Sequence, residues 1–157
     1  CGTGAHLKFF EQQGFIPFGC DINPIAIDEC KQWMLAYADN FHVIPSAPDL
    51  EDVFSAEFDL ILANQVLYYL NDKDMTSLIS QFYSMGKAGA VMFATMLSAK
   101  NRHFLHVADT IGEMQRVEMD EPSGRLTEVS YVNYKTEEEI IKFFQPFQKL
   151  HMGYYAH

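Results

Sequence analysis

Two glycines open the chain at alternate positions, Cys1-Gly2-Thr3-Gly4, and an acid, Asp21, stands 17 residues after Gly4. Glycine lets a backbone pass close to a ligand. The helix expected next would offer free N–H groups at its N-terminus. A carboxylate at the end of the following strand can accept hydrogen bonds from both ribose hydroxyls of an adenosine. Alone, a Gly-x-Gly is as readily a tight turn, and an acid as readily a helix cap. The acid at this spacing tips the balance toward a nucleoside. Elsewhere, His103 and His106 lie three apart. Histidine titrates near neutral pH, so either could serve a hydroxyl acceptor as general base. Solvent-facing histidines are the commoner outcome of that spacing. Asp109 is not at an obvious ligand spacing from His103, and no metal is expected. Glu118, Asp120 and Glu121 could attract an amine, although such clusters are more often solvated loops.

The elements that must position these residues alternate between strand-like and helix-like patterns. Ala5–Gln13 reads as a helix stopped by Gly14. Phe15–Cys20 reads as a strand buried on both faces. Asn23-Pro24 is an N-cap with proline at the first helical position, opening a helix to about Ala38. Phe41–Pro45 and Phe58–Ala63 are further strands. Met75, Leu78, Ile79 and Phe82 form an apolar helical stripe, and Gly86 and Gly89 end that helix. Ala90–Leu97 is a strand. Phe104, Val107, Ala108 and Ile111 predict a helix, and Asp120–Arg125 a loop. Thr127–Tyr134 is a strand. Thr136 with Glu139 is a capping box for a helix to about Phe144. Lys149–Tyr155 is a last strand.

The 157 residues are 48% apolar and 20% charged, which is globular. One domain over 1–157 is expected, with a cofactor-binding half at 1–97 and a substrate-side half at 98–157. The net charge is −10, from 21 acidic and 11 basic residues. That acidity opposes a phosphate-backbone grip on nucleic acid and an anionic membrane surface. No apolar run approaches the roughly 18 residues of a membrane span. Cys1, Cys20 and Cys30 form no CxxC pair, so reduced thiols and a cytoplasmic location are the default. Strands alternating with helices predict an α/β, three-layer, doubly wound Rossmann-like sheet, mostly parallel. Ligands then lie at the carboxyl ends of the strands.

Cys1–Leu7 (CGTGAHL), Gly14–Ile22 (GFIPFGCDI), Asn23–Ile27 (NPIAI) and Phe58–Leu70 (FDLILANQVLYYL) together resemble a class I S-adenosylmethionine-dependent methyltransferase. The resemblance covers most of the chain, and its motifs lie in the first half. It implies an antiparallel last strand. It also implies a central first strand ahead of the glycine loop, so the sequence is expected to lack residues upstream. Without that strand, poor solubility or a swapped dimer is expected. By resemblance, Cys1, Gly2, Thr3 and Gly4 approach the methionine part of the cofactor. Asp21 binds the ribose, and Ile22 packs on the adenine. Ser46 and Ala47 lie near the adenine edge, where many members carry an Asp; here Asp49 stands three residues after Ser46. Asn64, Gln65 and Val66 line the methionine and the methyl-transfer centre.

Methyl transfer from a sulfonium is an in-line displacement, so the protein mainly aligns the nucleophile and excludes water. A base is required only for a protonated nucleophile such as a hydroxyl. Asn64-Gln65-Val66-Leu67 lacks the Asn-Pro-Pro-Tyr of many nucleic-acid amine methylases. With the negative charge, this favours a small-molecule acceptor, on O or N, over nucleic acid. Tyr69 and Tyr68 either wall the acceptor pocket or pack at the start of a helix. Two alternatives stand beside this reading. A non-catalytic chain could bind S-adenosylmethionine or S-adenosylhomocysteine. A nicotinamide-dependent oxidoreductase is disfavoured because Leu7 stands where Gly-x-Gly-x-x-Gly needs its third glycine.

Overall fold

The computed structural model describes residues 1–45, 48–98, 100, 107–120 and 127–154, without the side chains of 119, 120, 127 and 128. The chain divides into two compact units, Cys1–Ser55 and Ala56–His157.

The first unit opens with α1, Ala5–Gln12, which ends before Gly14 at a φ of +91°. Strand β1, Gly19–Asp21, leads into α2, Pro24–Trp33. The Asn23 side chain caps α2 by accepting the Ile25 N–H at 3.0 Å, and Pro24 takes the first turn. A 3-10 segment, Leu35–Asn40, completes the predicted helix in tighter form. Strand β2, Phe41–Val43, runs parallel to β1, with Gly19 opposite Phe41 and Asp21 opposite Val43. A short α3, Leu50–Val53, follows. Ile27, Cys30, Met34 and Phe41 form the core, with Leu7 and Tyr37 against it. Each such buried side chain contributes on the order of 1.5–3 kcal/mol.

The expected strand over Phe15–Cys20 is corrected: pairing begins only at Gly19, and Phe15 and Ile16 are exposed. Pro17 has no N–H to give a ladder, and the pairing with β2 covers Gly19–Asp21.

The second unit begins with β3, Phe58–Ala63, as predicted. A 3-10 turn, Leu67–Tyr69, leads to α4, Asp72–Met85. Strand β4, Gly86–Ala94, returns parallel to β3, closing a β-α-β unit. Gly86 caps the end of the helix, whereas Gly89, also expected to end it, lies three residues on, and both fall within β4. The register explains this: Phe58 pairs with Gly86 and Leu60 with Val91, so five steps on β4 face two on β3. Gly89, at a φ of +85°, absorbs the excess. Ala63, Leu67, Met75 and Ile79 form the core, packed by Phe82, Phe143, Phe144 and Phe147.

The expected helix through Val107, Ala108 and Ile111 is corrected. Val107–Ile111 is β5, paired antiparallel with β6, Met114–Asp120, which pairs antiparallel with β7, Thr127–Val132. Gly112 and Glu113 form a two-residue hairpin turn with positive φ at Gly112 only, a type II′ pattern whose twist suits antiparallel strands. The Ile-Gly-Glu-Met sequence was the missed signal. Beyond β7, α5, Glu137–Phe143, starts on the predicted capping box: the Glu139 N–H donates to Thr136 Oγ1 at 3.3 Å, and the Thr136 N–H donates to Glu139 Oε2 at 2.8 Å. The predicted antiparallel last strand is absent from residues 149–154, which are irregular. Among the described residues the parallel pairs are β1–β2 and β3–β4, and β5–β6–β7 is antiparallel.

Candidate functional site

In the first unit, α2 packs under the glycine loop and β1 carries Asp21 to its edge. Asp21 Oδ2 accepts the Gly2 N–H at 2.7 Å and lies 2.9 Å from the Cys1 nitrogen; Oδ1 accepts the Asn23 N–H at 3.0 Å. The structure thus brings Cys1, Gly2 and Asp21 together. Partial burial would raise the Asp21 pKa. The Asn23 and Gly2 amides that donate to the carboxylate act against this, and the carboxyl lies below its ordinary value. A carboxylate has about four acceptor positions, so one is left for a further donor while these three bonds hold.

The two glycines have different reasons to be glycine. Gly2 has a φ of +56°, and a Cβ placed there meets nothing within 4 Å. It leaves open space beside a carboxylate. Gly4, at a φ of +85°, is closed: a Cβ would come within 2.7 Å of Cys30 Sγ and 2.9 Å of Met34 Cε. Its smallness lets the loop sit on α2. Thr3 is exposed. Ile22 is 63% exposed, an apolar surface directly after Asp21.

In the second unit, β3 delivers Asn64, Gln65 and Val66 into the loop before α4. Gln65 has a φ of +55°, in the left-handed region that non-glycine residues seldom enter. Its N–H donates to Thr95 Oγ1 at 2.7 Å, and the Thr95 hydroxyl donates to Asn64 Oδ1 at 3.1 Å. Gln65 and Val66 are exposed, and Asn64 is half-buried. Thr95 was not singled out from the sequence; one threonine after an apolar strand carries no pattern.

The tyrosine pair is split. Tyr68 is buried with Val117, Val132 and Tyr134. Tyr69, one position on, is 51% exposed, its ring centroid 4.6 Å from that of Tyr68. So Tyr68 packs, and Tyr69 is open to solvent. Asn133, fully buried, fastens this turn: its N–H donates to Tyr68 O at 2.7 Å, and its Nδ2 donates to Leu70 O at 3.1 Å and to Asp72 Oδ1 at 2.7 Å. Lys135, 5% exposed, pairs with the same Asp72 oxygen at 2.7 Å. Burial would raise the Asp72 pKa, but Lys135 and Asn133 overcome it and lower it.

Ser46, Ala47, His103, His106 and Glu121 lie outside the described residues, as does the Asp120 side chain. Glu118 is ion-paired with Arg116. Tyr131, exposed, stands opposite Arg116 across the β6–β7 pair.

Comparison with known proteins bears on this chain from two directions. Among solved structures, 15% identity and a TM-score of 0.70 relate it to an S-adenosylmethionine-dependent methyltransferase from Clostridium acetobutylicum, over 93% of this chain and 69% of that one. The PH0226 protein from Pyrococcus horikoshii matches at 15% identity and a TM-score of 0.70, over 99% and 76%. The glycopeptide N-methyltransferase MtfA, solved with S-adenosylmethionine, matches at 11% identity and a TM-score of 0.60, over 92% and 71%. These likenesses show a Rossmann-like α/β fold. No curated protein matches the sequence. The family model described as "Methyltransferase domain" matches residues 1–92, the stretch that holds both the glycine loop with Asp21 and the Asn64–Val66 loop, and the chain belongs to that family.

Proposed function

We propose that the chain is an S-adenosylmethionine-dependent methyltransferase that methylates O or N of a small-molecule acceptor. The observation that carries this reading is the pairing of an open Gly2 with a charged, amide-held Asp21. The residues present fit the cofactor. A carboxylate with an acceptor position to spare suits a ribose hydroxyl. The open space at Gly2 suits close approach of a bulky ligand to the backbone, and the exposed Ile22 suits the flat face of an adenine. Leu7 packs against the first unit's core, where a glycine would leave a gap, which opposes the nicotinamide reading.

When bound, S-adenosylmethionine supplies a methyl group on positive sulfur, already activated for displacement. The chain's own tasks are to bind and to align. Asp21 orients the ribose, and the Gly2 backbone yields space. Asn64, Gln65 and Val66, in the loop at the carboxyl end of β3, support the methionine part. Tyr69 offers an exposed phenol for acceptor contact. A hydroxyl acceptor gives up its proton to a base, for which His103 and His106 are the candidates; an unprotonated amine requires none. The acidity that disfavours nucleic acid suits a neutral or cationic acceptor.

The test is transfer of labelled methyl from S-adenosylmethionine to a panel of small alcohols, phenols and amines. Label recovered on a panel member, with S-adenosylhomocysteine formed in equal amount, supports the proposal. Binding of both sulfur compounds with no transfer to any member would leave a cofactor-binding protein instead.

A further inference from the structure

We propose that Thr95, at the carboxyl end of β4, is a positioning residue that holds the Asn64–Val66 loop in its working shape. The inference rests on the methyltransferase reading, which gives that loop the methionine part of the cofactor.

Three bonds converge on this one residue. Its N–H donates to Ala63 O at 3.2 Å, extending the β3–β4 pairing one step past Ala63 and Ala94. Its hydroxyl oxygen accepts the Gln65 N–H at 2.7 Å. Its hydroxyl hydrogen goes to Asn64 Oδ1 at 3.1 Å. The side chain is 7% exposed, so water competes little for these partners.

The geometry requires such a clamp. Gln65 stands at a φ of +55°, where a residue with a Cβ is strained and persists only when its surroundings impose it. The Gln65 N–H is donated to a side-chain oxygen. Thr95 Oγ1 is the acceptor that receives it. The same hydroxyl fixes the Asn64 carboxamide, so one side chain sets the backbone of one loop residue and the side chain of its neighbour. Only serine reproduces that donor-plus-acceptor pattern at similar size. Valine keeps the shape and removes both bonds.

Three proteins decide the question: wild type, Thr95→Ser and Thr95→Val. S-adenosylhomocysteine affinity is measured by calorimetry well below each melting temperature, and Gln65 amide exchange is followed by NMR. The expected result is a protected Gln65 amide and equal affinity, within about twofold, for wild type and Thr95→Ser. Thr95→Val loses the protection and binds about tenfold more weakly, since the Gln65 amide loses its acceptor and the loop is released. A role in stability alone would lower the melting temperature of Thr95→Val and leave its affinity unchanged while folded. That outcome, in a wild type that binds, overturns the inference and leaves the methyltransferase reading intact. A wild type that binds neither S-adenosylhomocysteine nor S-adenosylmethionine overturns the reading and the inference with it.

Discussion

Gly2 and Gly4 stand two residues apart, and both have positive φ, but only one is crowded. This difference separates binding from folding. Gly4→Ala pushes a methyl into Cys30 Sγ and Met34 Cε at a strained φ, so it should destabilise the protein by about 2 kcal/mol or more, read as a lowered chemical-denaturation midpoint. Gly2→Ala bears only the cost of the left-handed conformation, roughly 1 kcal/mol. It should fall mainly on cofactor affinity, through the methyl placed in the open space. Equal loss of stability in the two variants would contradict this division. The sequence alone showed that both were glycines in a loop. It could not show which faces α2 and which faces open space, because that depends on where Cys30 and Met34 come to lie. Asp21 was legible because its spacing from the loop is a local property; Thr95 was not, because its partners lie 30 and 31 residues away.

At the scale of elements, the polar group at the end of β7 does what no local pattern announces. Asn133 and Lys135 tie the Leu67–Tyr69 turn and the first residue of α4 to the antiparallel sheet. Asn133→Ala keeps the backbone bond to Tyr68 O but takes the donor from Leu70 O and one of the two donors from Asp72 Oδ1. Asn133→Ala should therefore cost about 2–4 kcal/mol, measured by denaturant titration, through lost buried bonds and a cavity. A loss under about 0.5 kcal/mol, typical of a surface change, would refute this account. Helix starts with chemical signatures were legible: Asn23-Pro24 and Thr136-Glu139 fall where the caps stand. The Val107–Ile111 segment was misread because a few apolar residues fit either period. There the turn at Gly112 decided the outcome, together with pairing to β6. Phe15–Cys20 failed for the opposite reason. Its apolar run was real, but Pro17 gives a ladder no N–H, and pairing with β2 covers only the three residues of β1.

Across the whole molecule, acid should reveal the carboxylates that the fold uses. Asp21 and Asp72 both have pKa values lowered in the folded protein. A lowered folded value means the contribution to stability is full above the ordinary carboxylate range, near pH 4, and is lost as pH falls through the folded value. Thermal stability should then hold from pH 7 to about 5 and fall below about 4. Asp72→Asn should flatten that acid limb relative to wild type; an unchanged slope would show that Asp72 does not feel Lys135 and Asn133. The net charge of −10 works against this trend, since protonation relieves self-repulsion, but that effect is nearly common to both proteins and cancels in the comparison. At this scale the sequence revealed the α/β alternation and the family. It did not reveal the antiparallel β5–β6–β7 sheet, because that part lies outside the motif-bearing first half.

The most direct test of the cofactor assignment is calorimetric titration with S-adenosylmethionine, S-adenosylhomocysteine and NADH, on wild type and on Asp21→Ala. The account predicts binding of both sulfur compounds at about micromolar affinity, none of NADH, and a loss of about tenfold or more in Asp21→Ala, the worth of a charged hydrogen bond. Wild-type silence toward both sulfur compounds, or equal binding by Asp21→Ala, would contradict it.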